Sequence, residues 1–275
     1  MQKFWKKTLT AVLTVAALAG CAQVNTTQSG VVGINRKQTM FLSAQEVEQQ
    51  SAKSYAQQVT QARQSGKLNR DPQLTARVRR VAKRLIAQVG AFRPDAVRWR
   101  WDVNVADSQE LNAYAMAGGK IMVYSGLVKT LKLSDDELAA VMGHEMAHAL
   151  REHSREGMSQ AYAQNMGLSI FGSLAGLNQG QMKAVSTVAD VALSKPHSRT
   201  MESEADVIGL ELMARAGYNP NAAVNVWNKM QSIGGGSRMP EFLSTHPSGS
   251  SRIQELQAHI PQVMPLYLAA TPNRR

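Results

Sequence analysis

Two histidines and a glutamate carry the strongest chemical signal in this chain. They stand in His144-Glu145-Met146-Ala147-His148, with the spacing H-E-x-x-H. Ser134 precedes Asp135-Asp136-Glu137, which is the pattern of a capping box with three carboxylates in a first turn. Leu138 to Leu150 then runs without Gly or Pro except Gly143. The spacing therefore predicts a helix on which His144 and His148 sit one turn apart on one face, separated by about 6 Å of rise. Two imidazoles so placed can grip one zinc ion from the same side. Glu145 is rotated by about 100° from His144. That sets it beside the metal without pointing at it, as a general base on a zinc-activated water requires.

Zinc in a catalytic site needs a third protein ligand and an open position. One class of zinc enzymes supplies a third His six residues after the second, with a Gly midway. Here Ser154 and Arg151 occupy those positions. The alternative source is a carboxylate on a later helix, and Met201-Glu202-Ser203-Glu204-Ala205-Asp206 offers it. Met201, Ala205, Ile208 and Leu212 recur at helical spacing, Gly217 is a natural stop, and Pro220 opens the next helix. Glu202 and Asp206 share a face beside that apolar stripe. One can bind the metal while the other accepts the N–H of a ligating His. Glu204 points elsewhere and reads as a solvated surface charge.

At these residues the sequence resembles the HtpX-like and CAAX-prenyl-protease-like gluzincin metallopeptidases. H-E-x-x-H followed by E-x-x-x-D is their signature. Asn112-Ala113-Tyr114-Ala115 and Gly118 to Leu127 look like the family's region before the zinc helix, and the likeness runs over roughly residues 70 to 260. The resemblance implies an α+β, predominantly helical domain with a small sheet. It implies one Zn²⁺ per chain, with His144, His148 and Glu202 as ligands, Glu145 as catalytic base and Asp206 behind a ligand. It implies that the strand at Lys120, Ile121, Met122 and Val123 is a sheet edge above the zinc, able to take an extended protein or peptide substrate as an added strand. Thr245-His246-Pro247 with Ser251-Arg252 also resembles a motif of the family's soluble members. His246 there either stabilises an oxyanion or fills the open position of the metal, with Arg252 as an assisting cation. His153 is expected to face solvent, His197 to line the cleft and His259 to lie at the surface. The long apolar helices of the family's membrane-spanning members are missing, so membrane-internal substrates are not expected.

Lys3, Lys6 and Lys7, then apolar Thr8 to Ala19, then Leu18-Ala19-Gly20-Cys21 read as a bacterial lipoprotein signal over residues 1–20, with lipidation of Cys21. The apolar stretch is too short for a mature membrane span. Ala22-Gln23 lacks the Asp that retains lipoproteins at the inner membrane. The expectation is a lipid anchor in the outer membrane facing the periplasm, with envelope proteins as further partners. The export signal, not the charge itself, disfavours nucleic acid as a partner. Cys21 is the only cysteine, so no intrachain disulfide forms. Residues 21–40, polar and rich in Gln, Asn, Thr and Gly, read as a flexible tether before a domain over 41–275.

Ser43-Ala44-Gln45-Glu46 opens a helix to about Arg63, and Asp71-Pro72 opens another with Leu74, Val78, Val81 and Leu85 facing inwards. The other side of that second helix carries Arg77, Arg80, Lys83 and Arg84, with Arg79, Arg93, Arg98 and Arg100 nearby. With the formal net charge of +11, this is either a solvated face or an attraction to an anionic membrane surface or acidic partner. Alternation over Val97 to Val105 predicts a strand. The charge-free stretch between Gly157 and Met182 is too polar to cross a bilayer. Gly234-Gly235-Gly236-Ser237 is a break, a last helix starts near Ser250, and the chain after Pro261 reads as a loose tail. A non-catalytic zinc-containing chaperone or binding protein is the competing class.

Overall fold

The computed structural model describes residues 23–174, 197–233, 241–246 and 250–272. Helix α4 (Asp135–Leu150) is its axis. Its capping box is made as expected: Glu137 N–H donates to Ser134 Oγ at 3.2 Å and Ser134 N–H to Glu137 Oε2 at 2.7 Å. Every residue from Glu137 to Leu150 is buried. The principal neighbour is α6 (Arg199–Arg215), which crosses α4 where two glycines meet. A Cβ on Gly209 would come within 2.7 Å of the His144 nitrogen, and one on Gly143 within 2.9 Å of the Gly209 carbonyl oxygen. The absent side chains let the two backbones touch, which brings residues of one helix into reach of the other.

Four further helices among the described residues enclose this pair. They are α2 (Pro72–Ile86), α7 (Asn221–Ile233), the short α8 (Glu241–Thr245) and α9 (Ser250–Ala270). The inward residues of α2 are those expected, with Val78, Val81 and Leu85 fully buried. Much of its basic face is used internally. Arg77 pairs with Asp135, Arg79 donates to the Val103 carbonyl, and Arg84 donates to Ala216 and lies over the Tyr218 ring. Helix α9 continues through Pro261 and Pro265 to Ala270, so the expected loose tail is instead packed structure. Leu256 and Val263 are buried, and Ile260, Leu266 and Tyr267 lie against the core. This apolar stripe outweighs the hydrogen bonds lost at the prolines.

Three strands form a sheet in the order β3 (Asp102–Ala106), β5 (Lys120–Tyr124), β4 (Ala113–Met116). Strand β5 runs parallel to β3 and antiparallel to β4. The expectation for Lys120 to Val123 is therefore corrected: they are the central strand, paired on both sides, and the free edge towards α4 belongs to β4. The expected strand over 97–105 is shorter as well. Pro94–Arg98 form a 3-10 turn, and Trp101 is held by its indole N–H on the Ala96 carbonyl at 2.9 Å. Helix α1 (Ala44–Gln64), capped by Ser43 and Glu46, covers the sheet through Tyr55, whose hydroxyl donates to the Ile121 carbonyl at 2.6 Å.

Residues 23–40 are not a tether. Strands β1 (Gln23–Val24) and β2 (Gln38–Thr39) pair with each other, and this strap lies on the domain. Gln38 is fully buried and donates to the Arg151 carbonyl and to Glu156, both at 2.7 Å. Polar composition reads as flexibility only when the polar groups find water. Here they satisfy buried charges. Helix α5 (His153–Leu174) begins the charge-free stretch. Its remainder, the Gly234–Ser237 break and Cys21 lie outside the described residues. Among the described residues, no helix is long and apolar enough to cross a membrane.

Candidate metal centre and active site

The crossing of α4 and α6 presents His144 and His148 to Glu202. The His144 and His148 Nε2 atoms lie 3.1 Å apart. Glu202 Oε1 is 3.4 Å from His148 Nε2, and Glu202 Oε2 is 3.6 Å from His144 Nε2. His246, just beyond α8, brings its Nδ1 to 3.0 Å from Glu202 Oε1 and 3.2 Å from His144 Nε2. The four side chains are buried, and their ligand atoms fall within 4.8 Å of one another.

The donor set fits zinc. His144 Nδ1 lies 3.0 Å from Asp206 Oδ1, which puts its proton there and leaves Nε2 as a bare lone pair. His148 Nδ1 is likewise occupied, 2.8 Å from His153 Nδ1. Two lone pairs facing each other at 3.1 Å repel unless a cation lies between them. Ligands at about 2.0–2.1 Å from a tetrahedral zinc stand about 3.3 Å apart, close to the spacings found. Arg252 Nη1, a fixed positive charge 2.6 Å from Glu202 Oε2, keeps Glu202 ionised against burial and fit to bind. Glu145 stands apart from the set. Its carboxylate is buried, with Oε1 3.3 Å from His246 Nε2. Burial raises its pKa against the pull of His246 and His144, which makes it a stronger proton acceptor.

The sequence profile of peptidase family M48 matches residues 72–260, more than half of the chain and all of this constellation except the strap. The chain belongs to peptidase family M48. It is 36% identical over 190 residues to the mitochondrial metalloendopeptidase OMA1 of Schizosaccharomyces pombe, covering 68% of this chain and 53% of that protein. It is 41% identical over 162 residues to OMA1 of Arabidopsis thaliana, covering 58% and 32%. The metalloprotease YcaL of Escherichia coli is 28% identical over 259 residues, covering 92% and 97%. The chain thus spans about half or less of these two mitochondrial relatives and nearly the whole of YcaL.

M48 peptidases are zinc-dependent, and the structure brings together every ligand that the sequence suggested. Two roles need correction. Arg252 does not stand over the substrate side. Its Nε and Nη2 hold both oxygens of Asp206 at 2.6 Å, its Nη1 holds Glu202 Oε2 at 2.6 Å, and its guanidinium lies 3.9 Å from the Trp227 ring centre. It fixes the two carboxylates that serve the metal. Glu204 is not a solvated charge. It is buried and accepts from Arg36, Arg151 and His153, which hold its pKa at about 2 against burial.

His153 is also buried rather than exposed. Helix α4 ends at Leu150, and Glu152 takes φ of 53°. This left-handed residue folds the chain so that His153 returns beneath His148 instead of continuing the helix outwards. No spacing rule announces such a turn. His197 is placed as expected: half-buried at the cleft, stacked on His148 with ring centres 4.2 Å apart. His259 is at the surface, bonded to Gln262.

A cleft of about 600 Å³ opens above the M48 site. Glu145, His148, His197 and His246 form its floor, and β4 from Ala113 to Met116 forms one wall. Of the four residues expected at a substrate edge, Ile121 and Val123 are in the core, Met122 only touches the cleft, and Lys120 turns to backbone carbonyls. Among the described residues, the strand of this sheet whose edge borders the cleft is β4.

Proposed function

We propose that the protein is a zinc endopeptidase, held at the outer membrane by a lipid on Cys21 and facing the periplasm, that cuts envelope or misfolded proteins. The observation that carries the catalytic part is Glu145: a buried carboxylate 3.3 Å from His246, beside three metal-ligand side chains, at the floor of a cleft walled by the edge strand β4. Zinc held by His144, His148 and Glu202 would supply Lewis acidity towards a peptide carbonyl and an attacking water. The chain's own residues do the rest. Strand β4 aligns an extended segment by backbone pairing, so selection by side chain is loose. Glu145 takes the proton of the attacking water and gives it to the departing amine. Asp206 and Arg252 keep His144 and Glu202 in orientation.

The location rests on the lipobox at Leu18-Ala19-Gly20-Cys21. A lipobox joined to this domain is the arrangement that resembles the outer-membrane lipoprotein metalloprotease LoiP. Casein hydrolysis by the purified chain, abolished by a chelator and restored by zinc, tests the reaction. Release of a Cys21→Ser variant from the membrane fraction tests the anchor, and continued sedimentation with membranes would refute it.

One observation favours a second reading. His246 Nδ1 sits among the ligand atoms, so four protein ligands are within reach of one ion. A closed four-ligand set is that of a structural zinc site in a non-catalytic chaperone or binding protein. It is equally the resting form of an enzyme whose His246 must withdraw before substrate enters.

A further inference from the structure

We infer that His153 is a positioning residue for the metal ligand His148, locked by Glu204, and that Arg36 of the amino-terminal strap completes the lock. The inference rests on the zinc reading above.

The geometry fixes the direction of each hydrogen bond. His148 presents Nε2 to the ligand cluster, so its ring proton is on Nδ1 and points at His153 Nδ1, 2.8 Å away. His153 Nδ1 must therefore accept. Its own proton is on Nε2, which donates to Glu204 Oε2 at 3.0 Å. A carboxylate thus reaches the ligand through a second imidazole. Rotating or losing that ring would leave the His148 Nδ1–H buried without an acceptor.

Glu204 is in turn held in place. Arg151 donates to its Oε2 from Nε at 3.1 Å and from Nη2 at 3.0 Å. Arg36 donates to its Oε1 from Nε at 2.6 Å and to its Oε2 from Nη2 at 3.0 Å. Arg36 also grips Glu156 with both terminal nitrogens, at 2.6 and 2.9 Å. Arg36 comes from the strap, 168 residues away in sequence from Glu204. The two histidine ligands are thereby backed alike. His144 has Asp206 and Arg252 behind it, and His148 has His153, Glu204 and an arginine pair. Residues that orient a metal ligand typically change metal affinity by about 10- to 100-fold when removed.

The test is zinc affinity of the full chain, measured by competition with a chromogenic chelator, beside the melting temperatures of the zinc-free and zinc-loaded protein. His153→Leu should weaken zinc about tenfold or more. His153→Asn, which keeps an acceptor near the Nδ1 position, should recover part of that loss. Arg36→Ala should weaken zinc by a smaller factor, and Arg36→Lys should restore part of it. In each weakened variant the temperature increment given by zinc should shrink more than the zinc-free melting temperature falls. A purely structural role would lower both melting temperatures together and leave affinity alone. If His153→Leu does not fold, the Arg36 pair decides, because that side chain is one-third exposed. Affinities within twofold of wild type in the folded variants overturn this inference alone. A wild-type chain that binds no zinc overturns the metallopeptidase reading and this inference with it.

Discussion

His246 shows how much of the chemistry turns on single atoms. One ring nitrogen lies 3.0 Å from Glu202 and the other 3.3 Å from Glu145, so the same side chain touches a residue of the metal cluster and the proposed general base. Its pKa is raised despite burial by the charges of Glu145 and Glu202. While it stays, it covers both the ion's remaining position and the base. His246→Ala should keep zinc bound, because His144, His148 and Glu202 remain, and should change peptide turnover by about tenfold or more in either direction. A rise marks His246 as the closing ligand, and a fall marks it as a stabiliser of the transition state. Unaltered hydrolysis at all substrate concentrations would remove both roles. The sequence showed this residue only through its Thr-His-Pro setting. The roles of His153 and Glu204 were not legible, because their partners lie in the strap and beyond a left-handed turn.

Between elements, the decisive contact is that of Gly143 with Gly209. The helix carrying H-E-x-x-H was legible because its start is local: Ser134 and Glu137 cap it, and its ligands are one turn apart. The close crossing that brings Glu202 and Asp206 to it was not legible, since Gly209 looks like any weak helix residue until its neighbour is known. A methyl group there would meet the His144 backbone at 2.7 Å. Gly209→Ala should cost about 1–3 kcal/mol of stability through overpacking. It should also reduce zinc occupancy, because separating α4 from α6 parts the ligands. Denaturant midpoints and metal analysis of the purified variant check both. Full stability with full occupancy would mean that the helices shift without consequence for the site. Strand order was hidden for a related reason. Alternation finds strands, but only long-range pairing decides that β5 is central and β4 the edge.

The whole molecule is stapled by charge as well as by its apolar core, and this gives it an acid limit. Glu204 has its pKa lowered from 4.5 to about 2 in the folded chain. A lowered carboxylate contributes stability that is complete above its unfolded pKa and lost as pH falls towards the folded one. The window is therefore about pH 4.5 to 2, and the size on the order of 3 kcal/mol. Acid titration of the fold by circular dichroism should show this loss, and Glu204→Gln should lower stability at neutral pH while flattening the fall. A variant with an unchanged acid slope would show that Glu204 is not a principal staple. The strap that supplies Arg36 packs on the M48 domain from Gln23 onwards, so this polar segment is part of the folded body rather than a spacer. One zinc per chain, served by a base that is not a ligand, is the central expectation. Metal content and peptide hydrolysis measured together on wild type and Glu145→Gln test this most directly. The expected result is one zinc per chain in both and hydrolysis reduced by at least about a thousandfold in the variant. Zinc lost together with activity, or hydrolysis retained without Glu145, would contradict it.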